Sequence, residues 1–563
     1  MPFTLRRERL GPLPLINHFL KVLEMEQLLD RHVPTRDRRC SLPYARSLGV
    51  LLRSILVERE PIYRQHETVQ GFASSAYGLT PEQASRLGDD QLGRALDHLF
   101  DADRGTILTA AVVNAVRRFG VKLEELHNDS TTIRFCGQYR SARGRRIRGR
   151  RGPVITYGHS KDHRSDLKQL LFILTSSADG GVPVQFRCAD GNTNDSTTHL
   201  DTWEALRQAA GRADFLYVAD SKLCDSDTMR TIDRRGGRFV TVLPASRKED
   251  AQFREWLQTH EPSWQTVWDR PNPRGKDRAR DVWRVFRDPV PSREGWPIIW
   301  VFSSLLALKQ QEARRDRITR AQQELEAIRA KLAGPRPRRR TLGQLSKAVG
   351  DLLARLSVSR YLHVTVAEQP DHRFRQETAG RPGPRTRYRR ITARRLQLNW
   401  ELDQAAITQD GNSDGMYPLL TNDRSLTMGQ VLEAHKRQPT IEKRFEQIKT
   451  VHEIAPVLLK NEGRIEALFF LYFLALLTQG LVERQLRRAM ERAKVASLPL
   501  YPEERACRRP TAEQIFRLFS GAQRDALLRA DRIVQIFHVR LTSLQCEVLD
   551  LLKVPERVYK QDV

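Results

Sequence analysis

The stretch "EELHNDSTTIRFCG", residues 124–137, sets a carboxylate, Asp129, in the middle of a run that otherwise reads as a β-strand. β-Branched and apolar residues dominate the run, and Gly137 supplies the turn signal that closes it. A mid-strand carboxylate either faces water or sits where something offsets its charge. What the rest of the chain brings alongside decides between the two.

Outward from this run, strand and helix patterns alternate. The strand-like segments are "LHNDSTTIRF" (126–135), "GPVITYGHS" (152–160), "LKQLLFILTSS" (167–177) and, after the turn "ADGG", "VPVQFRCAD" (182–190). A helical pattern in "TTHLDTWEALRQAA" leads to a buried strand, "FLYVAD" (215–220), then a helix, "SDTMRTIDRRG", and another strand, "RFVTVLP". Three antiparallel strands, a helix, a strand, a helix and a strand predict an α/β layer on a mixed sheet. Asp220 ends "FLYVAD", where a side chain clears the sheet edge and ligand groups concentrate.

Helical periodicity fills the chain ahead of this layer: "LINHFLKVLEMEQLLDRHV", "ARSLGVLLRSILV", "DDQLGRALDHLF" and "RGTILTAAVVNAVRRFG". Asp89 and Asp90 are good helix-start residues. The expected division is an all-helical N-terminal domain over 1–118 and the first part of the α/β core over 119–244. Residues 245–411 break the pattern and read as an insertion. Its short strands ("DVWRVFRD", "WPIIWVFS", "YLHVTVAE", "LQLNWELD") surround a polar helical hairpin over 304–356, with Arg-rich links "GPRPRRRT" and "GRPGPRTRYRRITARR". The core resumes over 412–490 with the strand "DGMYPLLTN" and a helix beginning near Pro439, and 491–563 reads as a C-terminal helical region.

The charge favours a polyanionic partner. In 563 residues, 95 Lys and Arg face 68 Asp and Glu, a net charge of +27. Each phosphate contact releases counterions and adds sequence-independent affinity, so a clustered excess of this size points to nucleic acid. Six scattered cysteines, without CxxC or Cys/His grouping, suggest neither structural zinc nor a disulfide framework and fit a cytoplasmic protein. The apolar run "IEALFFLYFLALLTQGLV" carries Glu466, leaving only 467–477 uninterrupted. That is short of the ~20 residues a bilayer requires, so a buried core helix and no membrane partner are expected.

Alone, each acid has a plain reading: Asp129 as a strand carboxylate, Asp220 as a helix cap, Glu442 as a first-turn acid favoured by the helix dipole. Their order says more. The segments "HNDSTT", "YGHSKDHRSDLKQ", "DGNTNDSTT", "YVADS", "DGMYPLLTN" and "IEKRFEQIK" together resemble the RNase H-like core of insertion-sequence DDE transposases, in the branch with a β-rich insertion before the catalytic Glu. The resemblance spans about residues 123–480. It implies a catalytic and metal-binding triad of Asp129, Asp220 and Glu442, with Lys449 seven residues on and able to reach a phosphate. Glu446, one turn along, competes for the third place. The family pattern also has a Tyr and an Arg where this chain has His435 and Gln438; the neighbouring Lys436 and Arg437 are candidates to grip phosphate instead.

Chemically, phosphodiester cleavage and strand transfer suit two Mg²⁺ ions about 4 Å apart, with Mn²⁺ as a substitute, held by shared hard carboxylates. Mg²⁺ is thus the expected partner that makes Asp129 tolerable in mid-strand. The run "RGRRIRGRR" (143–151) is expected to bind phosphate through Arg145, Arg146 and Arg148. Trp400 is either a core residue or a platform for an unpaired base. His159, Asp162, His163, Asp166 and Lys168 read as charges ordering a strand connection near the site. The implied activity is end binding, cleavage and joining of DNA by a homodimer on double-stranded DNA in a bacterial-type cytoplasm. An RNase H-like nuclease or resolvase, and a domesticated non-catalytic DNA-binding protein, are the alternatives.

Overall fold

The computed structural model describes residues 3–37, 40, 42–272, 280–334, 341–455, 457–529 and 532–560. Two units carry the chain: Met1–Val242 with Thr421–Asp423 and Glu433–Val563, and Leu243–Leu420 with Arg424–Leu432. Most of the link "GPRPRRRT" lies outside the described residues.

In the first unit the strands run in the order Pro183–Ala189, Lys168–Ser177, Glu125–Phe135, Leu216–Val218, Arg238–Val242. The first three form an antiparallel meander, and Leu216–Val218 lies parallel to both Glu125–Phe135 and Arg238–Val242. Helices His199–Ala210 and Ser226–Arg234 make the two crossovers. This is the mixed sheet of an α/β nuclease-like core. The expected strand "GPVITYGHS" is instead a loop pinned to the sheet by single bridges, Arg143 to Val154 and Thr156 to Gln169. Close backbone approach explains its glycine: a Cβ on Gly158 would meet the Gly191 carbonyl oxygen at 2.1 Å. The Gln169 amide then ties both segments down, donating to Gly191 O (2.8 Å) and His159 O (3.2 Å).

Helix Glu462–Arg492 is long and apolar enough to cross a membrane, yet 89% of its most apolar 18-residue window is buried inside the protein. The N-terminal helices pack against it: Tyr44–Val57, Asp89–Asp101 and Arg104–Phe119. Paired charges fix the contact, Arg464 with Asp97 (2.7 Å) and Arg104 with Glu466 (2.6 Å). The terminal regions are not wholly helical, contrary to expectation. Phe3–Arg9 is a strand paired antiparallel with Gln523–Arg529, which in turn pairs with Arg532–Phe537. Cross-strand charge pairs, Arg7 with Asp525 (3.2 Å) and Arg524 with Glu8 (2.9 Å), hold together segments whose separation in sequence hides them from local patterns.

The second unit holds antiparallel strands Met416–Thr421, Ile298–Ser303, Arg280–Arg287 and Gln265–Pro271 in that order. Its helical hairpin consists of Ser304–Ala333 and Leu342–Leu356, each started by a side-chain cap, Ser303 and Thr341. Leu325, Leu345, Leu352 and Leu398 lie in the hairpin's core. The two remaining strands, Leu362–Gln376 and Tyr388–Leu402, are far longer than expected and form a two-stranded ribbon of their own. Half of the supposed Arg-rich link 380–395 is therefore strand, its arginines falling on both faces of the ribbon.

Candidate active site

Asp129 sits in the central strand, opposite Leu174 of the neighbouring one. Its offsetting partner among the described residues is a lysine. Lys161, delivered by the pinned loop, lies 3.3 Å from Asp129 Oδ1 and 3.0 Å from Asp195 Oδ2. The same ammonium donates to Ser130 O (2.7 Å) and Ser130 Oγ (2.8 Å). Burial would lower the Lys161 pKa, but the charges of Asp129 and Asp195 outweigh it and hold the ammonium above its ordinary value.

Asp129 remains incompletely compensated. Burial foremost, with the charge of Asp220 adding to it, raises its carboxyl to about 6 against the opposing pull of Lys161 and the Ser130 N–H. Asp220 follows Leu216–Val218 and caps the short turn Ser221–Leu223, accepting from Lys222 N at 3.0 Å. The cap reading and the electrostatic reading of Asp220 thus hold together. His199 lies within reach of the charges of Asp220 and Asp195. Its Nδ1 lies 3.1 Å from Tyr217 OH and 3.4 Å from Asn128 Nδ2, whose own amide oxygen accepts from Thr175 (2.9 Å). Two donors at Nδ1 place the ring proton on Nε2, which is buried without a partner among the described residues. Burial lowers the imidazole to about 4, so it is neutral at pH 7.

Glu442 is reached differently. Helix Pro439–Glu446 continues as a π-helical turn, Gln447–Val451, a feature frequent at functional sites. Gln438 ties its start to the Asp129 strand, its amide donating to Asn128 O (3.1 Å) and its oxygen lying 2.9 Å from His127 Nδ1. At its far end Lys449 pairs with Asp162 (2.7 Å), which also faces Arg134 (3.4 Å). Glu442 falls between these anchors, exposed and without a hydrogen bond or ion pair among the described residues. Glu446 is exposed as well. Among the described residues no three His, Cys, Asp or Glu side chains converge to hold a metal. Asp129 and Asp220 do fit a hard cation, being two hard carboxylates close enough for one charge to raise the other, with a lysine ammonium already against Asp129.

Several expected DNA contacts are engaged internally. Arg145 pairs with buried Glu462 (2.6 Å), Arg148 with Asp101 (2.5 Å), and Arg437 with Glu125 (2.8 Å). Arg146 is exposed with no ion pair among the described residues. Trp400 packs on the helical-hairpin core, with the Arg329 guanidinium 4.8 Å from its ring centre, so that face is covered. Lys436 is half-buried; burial and the Lys436 charge push His435 down to about 4. Asp166 pairs with Arg164 (2.7 Å), and Lys168 donates to Gln138 O. Arg148→Gln should therefore lower the melting temperature and leave the salt dependence of DNA binding unchanged. Arg146→Gln should do the reverse, reducing the slope of log K against log salt by ~0.9 in filter binding.

The residues around Asp129 and Asp220 that the sequence reading missed are Lys161, Asp195, His199 and Asn128. All lie in or beside the segments "HNDSTT", "GHSKDHRSDLKQ" and "DGNTNDSTT" that carried the resemblance, and the run of polar residues in each was the available signal.

The raised Asp129 carboxyl has a consequence for stability. A group whose native pKa lies above its unfolded value stabilises below the unfolded value, near 3.8, and that contribution is lost as pH rises through about 6. The cost to the protein at pH 7.5, measured without divalent metal, is on the order of 2–3 kcal/mol. Asp129→Asn should melt higher than the parent at pH 7.5, with the gap closing toward pH 4. A constant gap across that range would show that Asp129 titrates normally.

The Transposase DDE domain family model matches residues 123–478. No curated protein matches the chain significantly. A solved structure it resembles is the piggyBac transposase synaptic complex with hairpin DNA, at 9% identity and a TM-score of 0.26, covering 53% of this chain. The overlap spans only 63% of that protein's chain and is too slight to bear on function. With its family model covering 123–478 of 563 residues, the chain belongs to the DDE transposase family.

Proposed function

We propose that the protein is the transposase of an insertion sequence. It binds the terminal inverted repeats, cleaves the ends and joins the 3′-OH to target DNA by Mg²⁺-dependent transesterification. The observation that carries the reading is the closeness of Asp129, within a core strand, to Asp220, just past the end of the adjacent strand, in a chain of this family. Asp129, Asp220 and Glu442 would hold the metal, with Glu442 joining from the helix whose start is tied to the Asp129 strand. When bound, divalent metal activates the attacking hydroxyl and stabilises the leaving oxygen.

The chain's own residues do the rest. Lys161 partly offsets the charges of Asp129 and Asp195 in the free protein. His199, neutral and protonated on Nε2, offers a hydrogen-bond donor beside the acids. Arg146, Lys436, Lys449 and Arg437 are the cations proposed to meet phosphate, and of these Lys449 and Arg437, like Arg145, Arg148 and Trp400, first have to leave internal partners. Two element ends are processed together, so a homodimer on DNA is the expected assembly, working in the bacterial cytoplasm.

A second reading is favoured by one observation, the absence of a converged third carboxylate among the described residues: a DNA-binding protein that kept the fold and lost cleavage. Incubating the purified chain with labelled duplex carrying the flanking repeat separates the two. Nicked and joined products that need Mg²⁺ support the transposase; repeat-specific binding without cleavage in Mg²⁺ or Mn²⁺ supports the second reading. Cleavage without joining marks a nuclease.

A further inference from the structure

The ribbon of Leu362–Gln376 and Tyr388–Leu402 divides into two halves of different chemistry. Near its base one face is apolar: Val364 opposes Trp400 and Val366 opposes Leu398, and all four pack on the helical-hairpin core. Beyond the Glu368–Leu396 pair that cover ends. From residue 369 to 395 no side chain is buried, and nine arginines share the segment with two acids, Asp371 and Glu377.

Two arginines in this half have a carboxylate partner, Arg373 with Asp371 (3.2 Å) and Arg394 with Glu368 (3.2 Å). Arg375, Arg381, Arg385, Arg387, Arg389 and Arg390 have none among the described residues. Register sorts them. Arg375 opposes Arg389, and Arg373 opposes Ile391, on one face; on the other, Phe374 opposes Arg390 and Gln376 opposes Tyr388. Like charges directly across a strand pair destabilise it, and an isolated two-stranded ribbon is marginal in water. The guanidinium pair kept here has no counter-charge among the described residues.

We propose that the distal half of this ribbon is a DNA-binding arm that lies in a groove of duplex DNA, its Phe374/Tyr388 face on the groove floor and the long side chains of Arg375 and Arg389 reaching over the ribbon's edges to the flanking phosphates. The inference deepens the DNA reading above and rests on it. Size supports a groove: residues 369–376 extend about 26 Å at ~3.3 Å per residue, and a two-stranded ribbon fits the major groove, ~12 Å wide. Charge supports phosphate, because an unpaired guanidinium row suits a row of anionic oxygens. Phe374 (67% exposed) and Tyr388 (49% exposed) are poorly placed for water alone.

The test uses the full-length protein and two combined variants. One carries Arg375→Gln, Arg387→Gln, Arg389→Gln and Arg390→Gln; the other carries Phe374→Ala and Tyr388→Ala. All six side chains are exposed, so the melting temperature should not change. Binding is measured against salt on a repeat-bearing duplex and on random duplex of equal length. The arginine variant should lose roughly 2–4 from the log–log salt slope, at ~0.9 per phosphate, on both duplexes. The aromatic variant should keep the slope and lose affinity. Parental slope and affinity in both variants, with the parent binding duplex normally, overturn the arm. Loss of binding to a protein or to single-stranded RNA with duplex binding intact does so too. A parent that binds no duplex at all overturns the DNA reading itself, and the arm with it.

Discussion

Asp129→Ala, Asp220→Ala and Glu442→Ala are each expected to abolish Mg²⁺-dependent cleavage and joining, by on the order of 10³-fold or more, while repeat binding persists. The three should differ in stability, which separates metal ligands from structural acids. Removing Asp129 deletes a buried carboxylate that burial and Asp220 already strain, so the metal-free protein should melt higher at neutral pH. Removing Asp220 costs the cap on Ser221–Leu223 and should lower stability by about 1 kcal/mol. Glu442 has no partner to lose, and its removal should leave melting unchanged. Glu446→Ala, one turn along the same helix, should stay active. A dead Glu446→Ala beside an active Glu442→Ala would move the third carboxylate by one turn. Cleavage by all three variants would end the transposase reading of these residues.

The sheet was legible because its strands announce themselves locally. "LKQLLFILTSS" and "FLYVAD" are apolar runs of strand length, and the turn "ADGG" fixes an antiparallel partner. Asp129 and Asp220 were legible for the opposite reason, as polar residues where the local pattern calls for apolar ones. The partner of Asp129 was not. Lys161 reaches it only because Gly158 and Gly191 let two loop backbones close on Gln169, and such contact is invisible in a linear pattern. The strand Phe3–Arg9 was hidden by its distance from Gln523–Arg529, and the long ribbon by arginines that look like linker composition. In the arginine run 143–151 the internal pairs were equally hidden: charge counts cannot show that Arg145 and Arg148 face Glu462 and Asp101.

The helix carrying Glu442 depends on a buried ion pair, and breaking that pair should have the largest effect on stability. Arg444 and Glu483 are each 3% exposed in their side chains and lie 2.9 Å apart. Arg444 also donates to Gly181 O (2.8 Å), Gly180 O (3.2 Å) and Gln447 Oε1 (2.7 Å), clamping the Glu442 helix to the turn between two core strands. Glu483 accepts from Gln447 (2.8 Å) and Ala512 N (3.0 Å), and Arg487 lies 3.5 Å away. Burial alone would raise the Glu483 carboxyl, but the charges of Arg444 and Arg487 outweigh it and hold it below the ordinary range. Arg444→Met should cost about 3–5 kcal/mol, because it leaves a buried carboxylate and two carbonyls short of donors. Arg444→Lys keeps the charge but not the fork and should fall between. Pairing Arg444→Met with Glu483→Leu should recover part of the loss, since neither charge is then stranded. Below its melting transition Arg444→Met should also cut slowly with repeat binding intact, as the helix holding Glu442 loses its clamp. Unfolding by denaturant and single-turnover cleavage, run on the same preparations, measure the two effects separately. Additive losses in the double variant would show that the two side chains act independently and that the clamp is not what seats Glu442.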